Sequence, residues 1–160
     1  MVTFRLADSL PAQVMEELRQ ERSLQTDADR RQRAEAYLDA GHGACHLRDP
    51  AVARMVENTL LHHDSERYRL LAWSIMPNHV HVPIELAPGY PLAKVLHTWK
   101  SYSAHAANRM LGRSGACWQI EYWDRYIRSE THLRKAITYI HEKNRSRFSS
   151  AGRCTGNTGV

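Results

Sequence analysis

Hydrophobic positions along this chain change period several times, from alternation to helical spacing and back, and the order of those changes predicts strands and helices in turn. Val2 to Leu6 reads as a first strand, and Ser9 with Pro11 supplies a cap and a proline near a helix start, after which Val14 and Leu18 recur at helical spacing. From Thr26 to Asp39 the chain is charged and only weakly amphipathic, and Gly41 and Gly43 close it as turn residues. Asp49-Pro50 opens a clearer helix with Val52, Met55, Val56, Thr59 and Leu60 on one face. Tyr68 to Ile75 and His79 to Leu86 read as an antiparallel pair of strands broken at Pro77-Asn78. A long helix follows Pro88-Gly89, with Leu92, Val95, Leu96, Trp99, Tyr102, Ala106 and Met110 as its buried stripe. Trp118 to Ile127 is aromatic and β-prone, and Ser129-Glu130 leads into a last helix carried by Leu133, Ala136, Ile137 and Ile140. No internal repeat interrupts this order.

At 160 residues and 18.4 kDa the chain suits one domain with a substantial core. Three scattered cysteines, Cys45, Cys117 and Cys154, form neither a disulfide framework nor a Cys-x-x-Cys pair, which fits a reducing cytoplasm. The amino terminus lacks a long apolar run, and no stretch approaches the roughly 20 apolar residues of a membrane span. Charge is unevenly placed. Residues 1 to 90 hold 10 Lys and Arg against 13 Asp and Glu, whereas residues 91 to 147 hold 11 against 4. That asymmetry points to a polyanionic partner as readily as to an arginine-rich solvated face.

The chemistry begins at Met76-Pro77-Asn78-His79-Val80-His81-Val82. Alternation in a strand puts His79 and His81 on one face, where two imidazoles can converge on a cation. Spacing alone favours the plainer reading of two polar residues on the wet face of a half-buried strand. On the last helix Tyr139 lies roughly 110° from the centre of the apolar stripe at about 100° per residue, so its phenol flanks the core. A phenol beside a divalent cation can attack phosphorus, although one tyrosine among seven is by itself an ordinary amphipathic side chain.

The His-x-His strand after Met-Pro-Asn is followed by His97-Thr98-Trp99-Lys100-Ser101 on the long helix. Then come Trp118-Gln119, Tyr122-Trp123-Asp124-Arg125-Tyr126-Ile127-Arg128 and Tyr139-Ile140-His141. In that order, from about Val2 to Glu142, the chain resembles the REP-associated tyrosine transposases of the HUH superfamily. The resemblance implies an α+β fold, a ferredoxin-like antiparallel sheet with helices packed on it and the HUH strand central. It implies Mg²⁺ or Mn²⁺ on His79 and His81, and Tyr139 as the nucleophile that cuts single-stranded DNA beside a hairpin and keeps the 5′ phosphate. Two imidazoles suit Mn²⁺ better than Mg²⁺. Lys94, Lys100, Arg109, Arg113, Arg125 and Arg128 are the candidates to hold the strand, and Trp118, Tyr122 and Trp123 the candidates for base stacking, with core or strand packing expected for at least two of these three. Related transposases work as monomers or as homodimers, and both remain open.

Two departures mark this chain. The family carries Asn four residues after its tyrosine and then Pro, whereas Lys143 stands there, Asn144 comes one place late and Pro is missing. Lysine cannot ligate a cation, which leaves Glu142, His141 or Asn144 as a third ligand, or gives Lys143 a role in lowering the phenol pKa. The domain is therefore expected over 1–143, with 144–160 an atypical, disordered tail. A frameshift near Lys143 would explain that tail, and the gene's codons test it. Pro83 also removes a ladder donor from the strand bearing the pair. Three functions follow: an active transposase, a decayed or domesticated hairpin-binding protein, and, ignoring the resemblance, a metal-dependent phosphoesterase that uses water.

Overall fold

Val2–Arg5 forms β1, whose side chains alternate between two buried environments. The computed structural model describes residues 1–20 and 26–150. Helix α1 spans Ala12–Gln20, α2 Asp27–Asp39 and α3 Pro50–Leu61, with a short 3-10 turn at His46–Arg48 between the last two. Strands β2 (Tyr68–Leu70), β3 (Ser74–Ile75), β4 (His79–Val82) and β5 (Ile84–Leu86) follow, then α4 (Leu92–Met110), β6 (Trp123–Asp124) and α5 (Glu130–Ser150).

Four strands make one antiparallel sheet in the order β3-β4-β1-β6, with β4 inside it. Taken as β1, α3, β3, β4, α4 and β6, this is the ferredoxin-like β-α-β-β-α-β arrangement, with α1 and α2 inserted after β1 and α5 added at the end. The fold is thus the α+β class expected from sequence. Register decides its chemistry. Thr3 lies opposite His81, Arg5 opposite His79 and Ser74 opposite His81, so these five share one face. Val2, Phe4, Ile75, Val80 and Val82 share the other, where they join Val52, Val56 and Leu60 of α3 and Val95, Leu96 and Trp99 of α4 in the main core.

Local sequence explains the elements that position the site. Asp49 caps α3 by accepting from the Ala51 N–H at 2.8 Å, ahead of Pro50 in the first turn. Thr26 and Asp29 form a capping box for α2, a helix whose apolar periodicity is weak. After α2 the chain turns at Gly43, where φ is +84° and a Cβ would meet the Asp8 carbonyl oxygen at 2.5 Å. The turn is tied to the rest of the domain by Ala44 N–H to Asp8 Oδ2, 2.9 Å, and by the His42 carbonyl, which accepts from Asn78 Nδ2 at 2.9 Å.

Several sequence expectations are corrected. The two long strands are each divided: β2 pairs with β5, β3 with β4, and the break falls where Pro83 offers only its carbonyl, which accepts from Leu71 N–H at 3.0 Å. The stripe on α4 runs through Trp99, Ser103 and Ala107 rather than Tyr102, Ala106 and Met110. Ser103 is small enough to let Trp118 approach and donate to its Oγ at 2.8 Å, whereas Tyr102 is 63% exposed. Of the β-prone aromatic stretch only Trp123–Asp124 pairs as a strand, with an isolated bridge at Trp118. Residues 144–150 continue α5 instead of beginning a tail, and 151–160 lie outside the described residues.

Candidate active site

A two-residue turn sets the histidine strand in place. Met76 N–H donates to the His79 carbonyl at 2.8 Å, and the carbonyls of Pro77 and Asn78 accept from Leu47 N–H and Leu6 N–H. The turn is therefore fastened to β1 and to the 3-10 segment. His79 and His81 leave it on the same face of β4, fully buried, and not on a wet face. Their Nε2 atoms stand 3.0 Å apart, with the rings nearly perpendicular at 84°.

The hydrogen-bond network fixes where protons sit. Asn78 gives its amide N–H to the His42 carbonyl, so its Oδ1, 2.8 Å from His79 Nδ1, must accept. His79 therefore carries its proton on Nδ1 and presents a bare Nε2. Two nitrogens at 3.0 Å need a proton or a cation between them, which makes His81 Nε2–H the donor and His81 Nδ1 the acceptor of the Thr3 hydroxyl at 2.8 Å. Rotation of that hydroxyl reverses the last bond. With the proton on Nδ1 of His81, both Nε2 lone pairs point into the same space.

These residues fit a divalent cation. At metal-nitrogen distances of about 2.1 Å, two nitrogens 3.0 Å apart subtend about 90°, the cis angle of an octahedron. Burial pulls both imidazoles below the ordinary histidine value, and the neighbouring Lys143 adds to the effect, with His81 lowered to about 3; neutral rings are the form that can ligate. Two orphaned oxygens lie alongside: Ser74 Oγ and Tyr139 Oη are buried without a hydrogen-bond partner among the described residues.

Tyr139 is carried by α5, whose Ala136 and Ile140 are buried. Its ring meets that of His81 at a centroid distance of 5.4 Å and an angle of 77°. Burial raises the phenol pKa, and the carboxylates of Glu35 and Asp39 raise it further. Glu35 acts on the phenol chiefly through its charge. Glu35 is itself shifted upward by burial, opposed by Lys143 and reinforced by Asp39. Lys143 pairs with Asp39 Oδ2 and lies 5.2 Å from the centre of the Tyr139 ring, while Asp39 Oδ1 is 3.9 Å from His79 Nε2.

Sequence reasoning did not find Thr3, Glu35, Asp39, Ser74 or Asn78. Glu35 and Asp39 are one helical turn apart on α2, and that i, i+4 spacing of carboxylates is the one signal that marked them. The other candidates are dispersed. Asn144 donates to the Trp73 carbonyl at 3.1 Å, and Glu142 and His141 are exposed. Trp118 belongs to the core, edge-on to Phe4 at 4.9 Å, so it offers no face to a base. Lys100 spends its ammonium on the carbonyls of Gln119, Ile120 and Glu121, and partial burial lowers its pKa to about 8. Trp123 lies under Arg5 and Tyr122 under Lys100. Lys94, Arg109, Arg125 and Arg128 are exposed, Arg113 is half-buried and donates to the Ala116 carbonyl, and the exposed tyrosines are Tyr126, next to Arg125 in the chain, and Tyr102 on α4.

The fold thus brings a buried histidine pair and a tyrosine together on a ferredoxin-like sheet, and the relationships to known proteins place the chain in a family. The family model described as "Transposase IS200 like" matches residues 49–143, more than half of the chain. The chain belongs to the IS200-like transposase family. Among solved structures it is similar to a REP-associated tyrosine transposase bound to a REP hairpin, with a TM-score of 0.54 at 15% identity over 91% of this chain. It spans 65% of the length of that protein. A Deinococcus radiodurans R1 protein assigned as a transposase matches at 16% identity over 89% of this chain and 87% of its own, with a TM-score of 0.37, too low to speak to the fold. No curated protein matches the sequence. No helix among the described residues is long and apolar enough to cross a membrane.

Proposed function

We propose that this protein cuts and rejoins single-stranded DNA beside a hairpin, with Tyr139 as nucleophile and Mn²⁺ or Mg²⁺ on His79 and His81. The observation that carries the reading is the facing pair of Nε2 atoms, 3.0 Å apart, with the Tyr139 ring 5.4 Å from that of His81. The cation, when bound, would polarise the scissile phosphate and ease departure of its leaving oxygen. Tyr139 Oη forms a bond to phosphorus, the bond from phosphorus to the 3′ oxygen breaks, and that oxygen leaves as a hydroxyl. The 5′ phosphate stays on the tyrosine. Attack by another 3′ hydroxyl reverses the exchange, one phosphodiester for one phosphotyrosine, so no nucleotide cofactor is consumed.

The chain's own groups meet the needs of that exchange. Glu35 faces the phenol with a raised proton affinity and is the acceptor placed to take its proton. The exposed Lys94, Arg109, Arg125 and Arg128 supply cationic surface for the strand. A hairpin substrate and the REP-associated branch are supported by the order of motifs and by the hairpin held by the structural relative.

Incubation with a labelled single-stranded hairpin library and Mn²⁺ tests the proposal on a denaturing gel. The expected result is a covalent protein-DNA band that requires metal and is absent in Tyr139→Phe. Cleavage that persists in Tyr139→Phe would overturn it in favour of water as nucleophile, and tight hairpin binding without a band would make the protein a DNA-binding remnant.

A further inference from the structure

Among the described residues no three histidines, cysteines or carboxylates form a ready metal cluster. The nearest approach to one is instructive. Asp39, the last residue of α2, holds Oδ1 3.9 Å from His79 Nε2 while its Oδ2 is engaged by Lys143. Neighbouring ligands of an octahedral ion with bonds of about 2.1 Å lie about 3.0 Å apart, so a shift of about 1 Å would bring that oxygen into the coordination sphere of an ion on the two imidazoles.

Lys143 sits where positive charge is already favoured. It pairs with Asp39, lies 5.2 Å from the Tyr139 ring, and acts electrostatically on His79, His81 and Glu35. One ammonium thus touches a carboxylate and a ring, and three more titratable groups feel its charge. The same arrangement of carboxylate oxygens and neutral imidazoles is the donor set expected for Mn²⁺. The side chains of Lys143 and Asp39 are 17% and 33% exposed, so the lysine has a route outward along its flexible stem. Asn144 and Glu142 do not compete for the role, since the first is bonded to Trp73 and the second is exposed.

We propose that Asp39 is the third protein ligand of the cation held by His79 and His81, and that Lys143 is an internal counter-cation which must release Asp39 before the ion binds. This inference rests on the metal-dependent reading above and adds to it a ligand from α2, outside the segment matched by the family. Position 143 then gates the site instead of ligating it. Such a gate makes metal uptake a competition between a fixed ammonium and a free ion, with affinity set by how readily the Lys143 to Asp39 pair opens.

A double-mutant cycle read by Mn²⁺ titration, with free Mn²⁺ followed by electron paramagnetic resonance, tests it. The proteins are wild type, Asp39→Asn, Lys143→Met, the double variant and His81→Gln, each shown to be folded by its thermal melt in EDTA. Asp39→Asn is expected to weaken binding at least tenfold and Lys143→Met to tighten it about tenfold. In the Asp39→Asn background Lys143→Met should change affinity less than twofold. Binding by Asp39→Asn within twofold of wild type would overturn the assignment. So would an equal gain from Lys143→Met in both backgrounds, because the lysine would then act through its field alone. Unchanged binding in His81→Gln, or no uptake by any of the proteins, would instead bring down the metal reading of the histidine pair and the inference with it.

Discussion

The two faces of the four-stranded sheet are equally buried and chemically opposite. On one, Val2, Phe4, Ile75, Val80 and Val82 pack against α3 and α4, and each gains from leaving water. On the other, Thr3, Arg5, Ser74, His79 and His81 are all at or below 5% exposure. Burying such groups is unfavourable unless hydrogen bonds compensate, and here compensation is incomplete: Ser74 Oγ has no partner among the described residues, and burial disfavours the protonated form of both imidazoles. The contrast teaches that one face holds the domain together while the other is maintained at a cost in stability, as the proposed function requires of a reacting face.

Three experiments bear on that contrast, beyond the two above. The largest effect should come from Trp99→Ala on the apolar side. Trp99 is 2% exposed, meets Tyr68 edge-on at 5.0 Å and donates to its hydroxyl at 2.8 Å. A loss of about 3–5 kcal/mol in urea unfolding is expected, and a loss below 1 kcal/mol would deny this face its role.

The second concerns pH in metal-free protein. Both histidine pKa values are lower in the folded state than the ordinary 6.5, that of His81 at about 3, so below 6.5 the unfolded chain binds more protons. Stability should be flat above pH 6.5 from these groups and fall as pH drops below it, the His81 share levelling off near 3, with a slope of at most about 1.4 kcal/mol per pH unit for each histidine. Melting curves from pH 7 to 4 in EDTA check this. An unchanged slope after replacing both histidines by glutamine would contradict it.

The smallest expected change is the most discriminating. Thr3 and His81 are cross-strand partners sharing one hydrogen bond, so Thr3→Val combined with His81→Leu removes donor and acceptor together. Because His79 Nε2 also loses its His81 partner, stability should fall by about 1–2 kcal/mol, while the stabilisation conferred by Mn²⁺ in a thermal melt disappears. A loss as large as that of Trp99→Ala would mean that the polar face is structural after all.

How much of this was legible beforehand depended on whether a signal was periodic or spatial. The facing histidines followed from alternation in β4, and the position of Tyr139 beside the core from the angle between it and Ile140 on α5. The antiparallel hairpin was readable from Pro77-Asn78, but not its division at Pro83, because a missing donor shows only once strands have partners. Hydrophobicity favours Tyr102 and Met110 for the α4 stripe, whereas close approach of Trp118 needs the smaller Ser103, and the buried stripe runs on to Ala107. Glu35 and Asp39 looked like solvent charges on a weakly amphipathic helix, since the gap they fill is created by α5, about a hundred residues later in the chain. Lys100 and Trp118 have the composition of a DNA-binding surface and are instead absorbed by carbonyls and by the core.

The place of β1 in the sheet carries a consequence for synthesis. Thr3 needs His81 on one side and Trp123 on the other, so the strand of this sheet that is made first is the one that waits longest for its neighbours. Until β4 has emerged, the nascent chain can form helices and turns but no part of this sheet. Its future histidine face then exists only as the exposed polar half of one short strand, and a pause in translation before residue 79 would hold the chain in that open state.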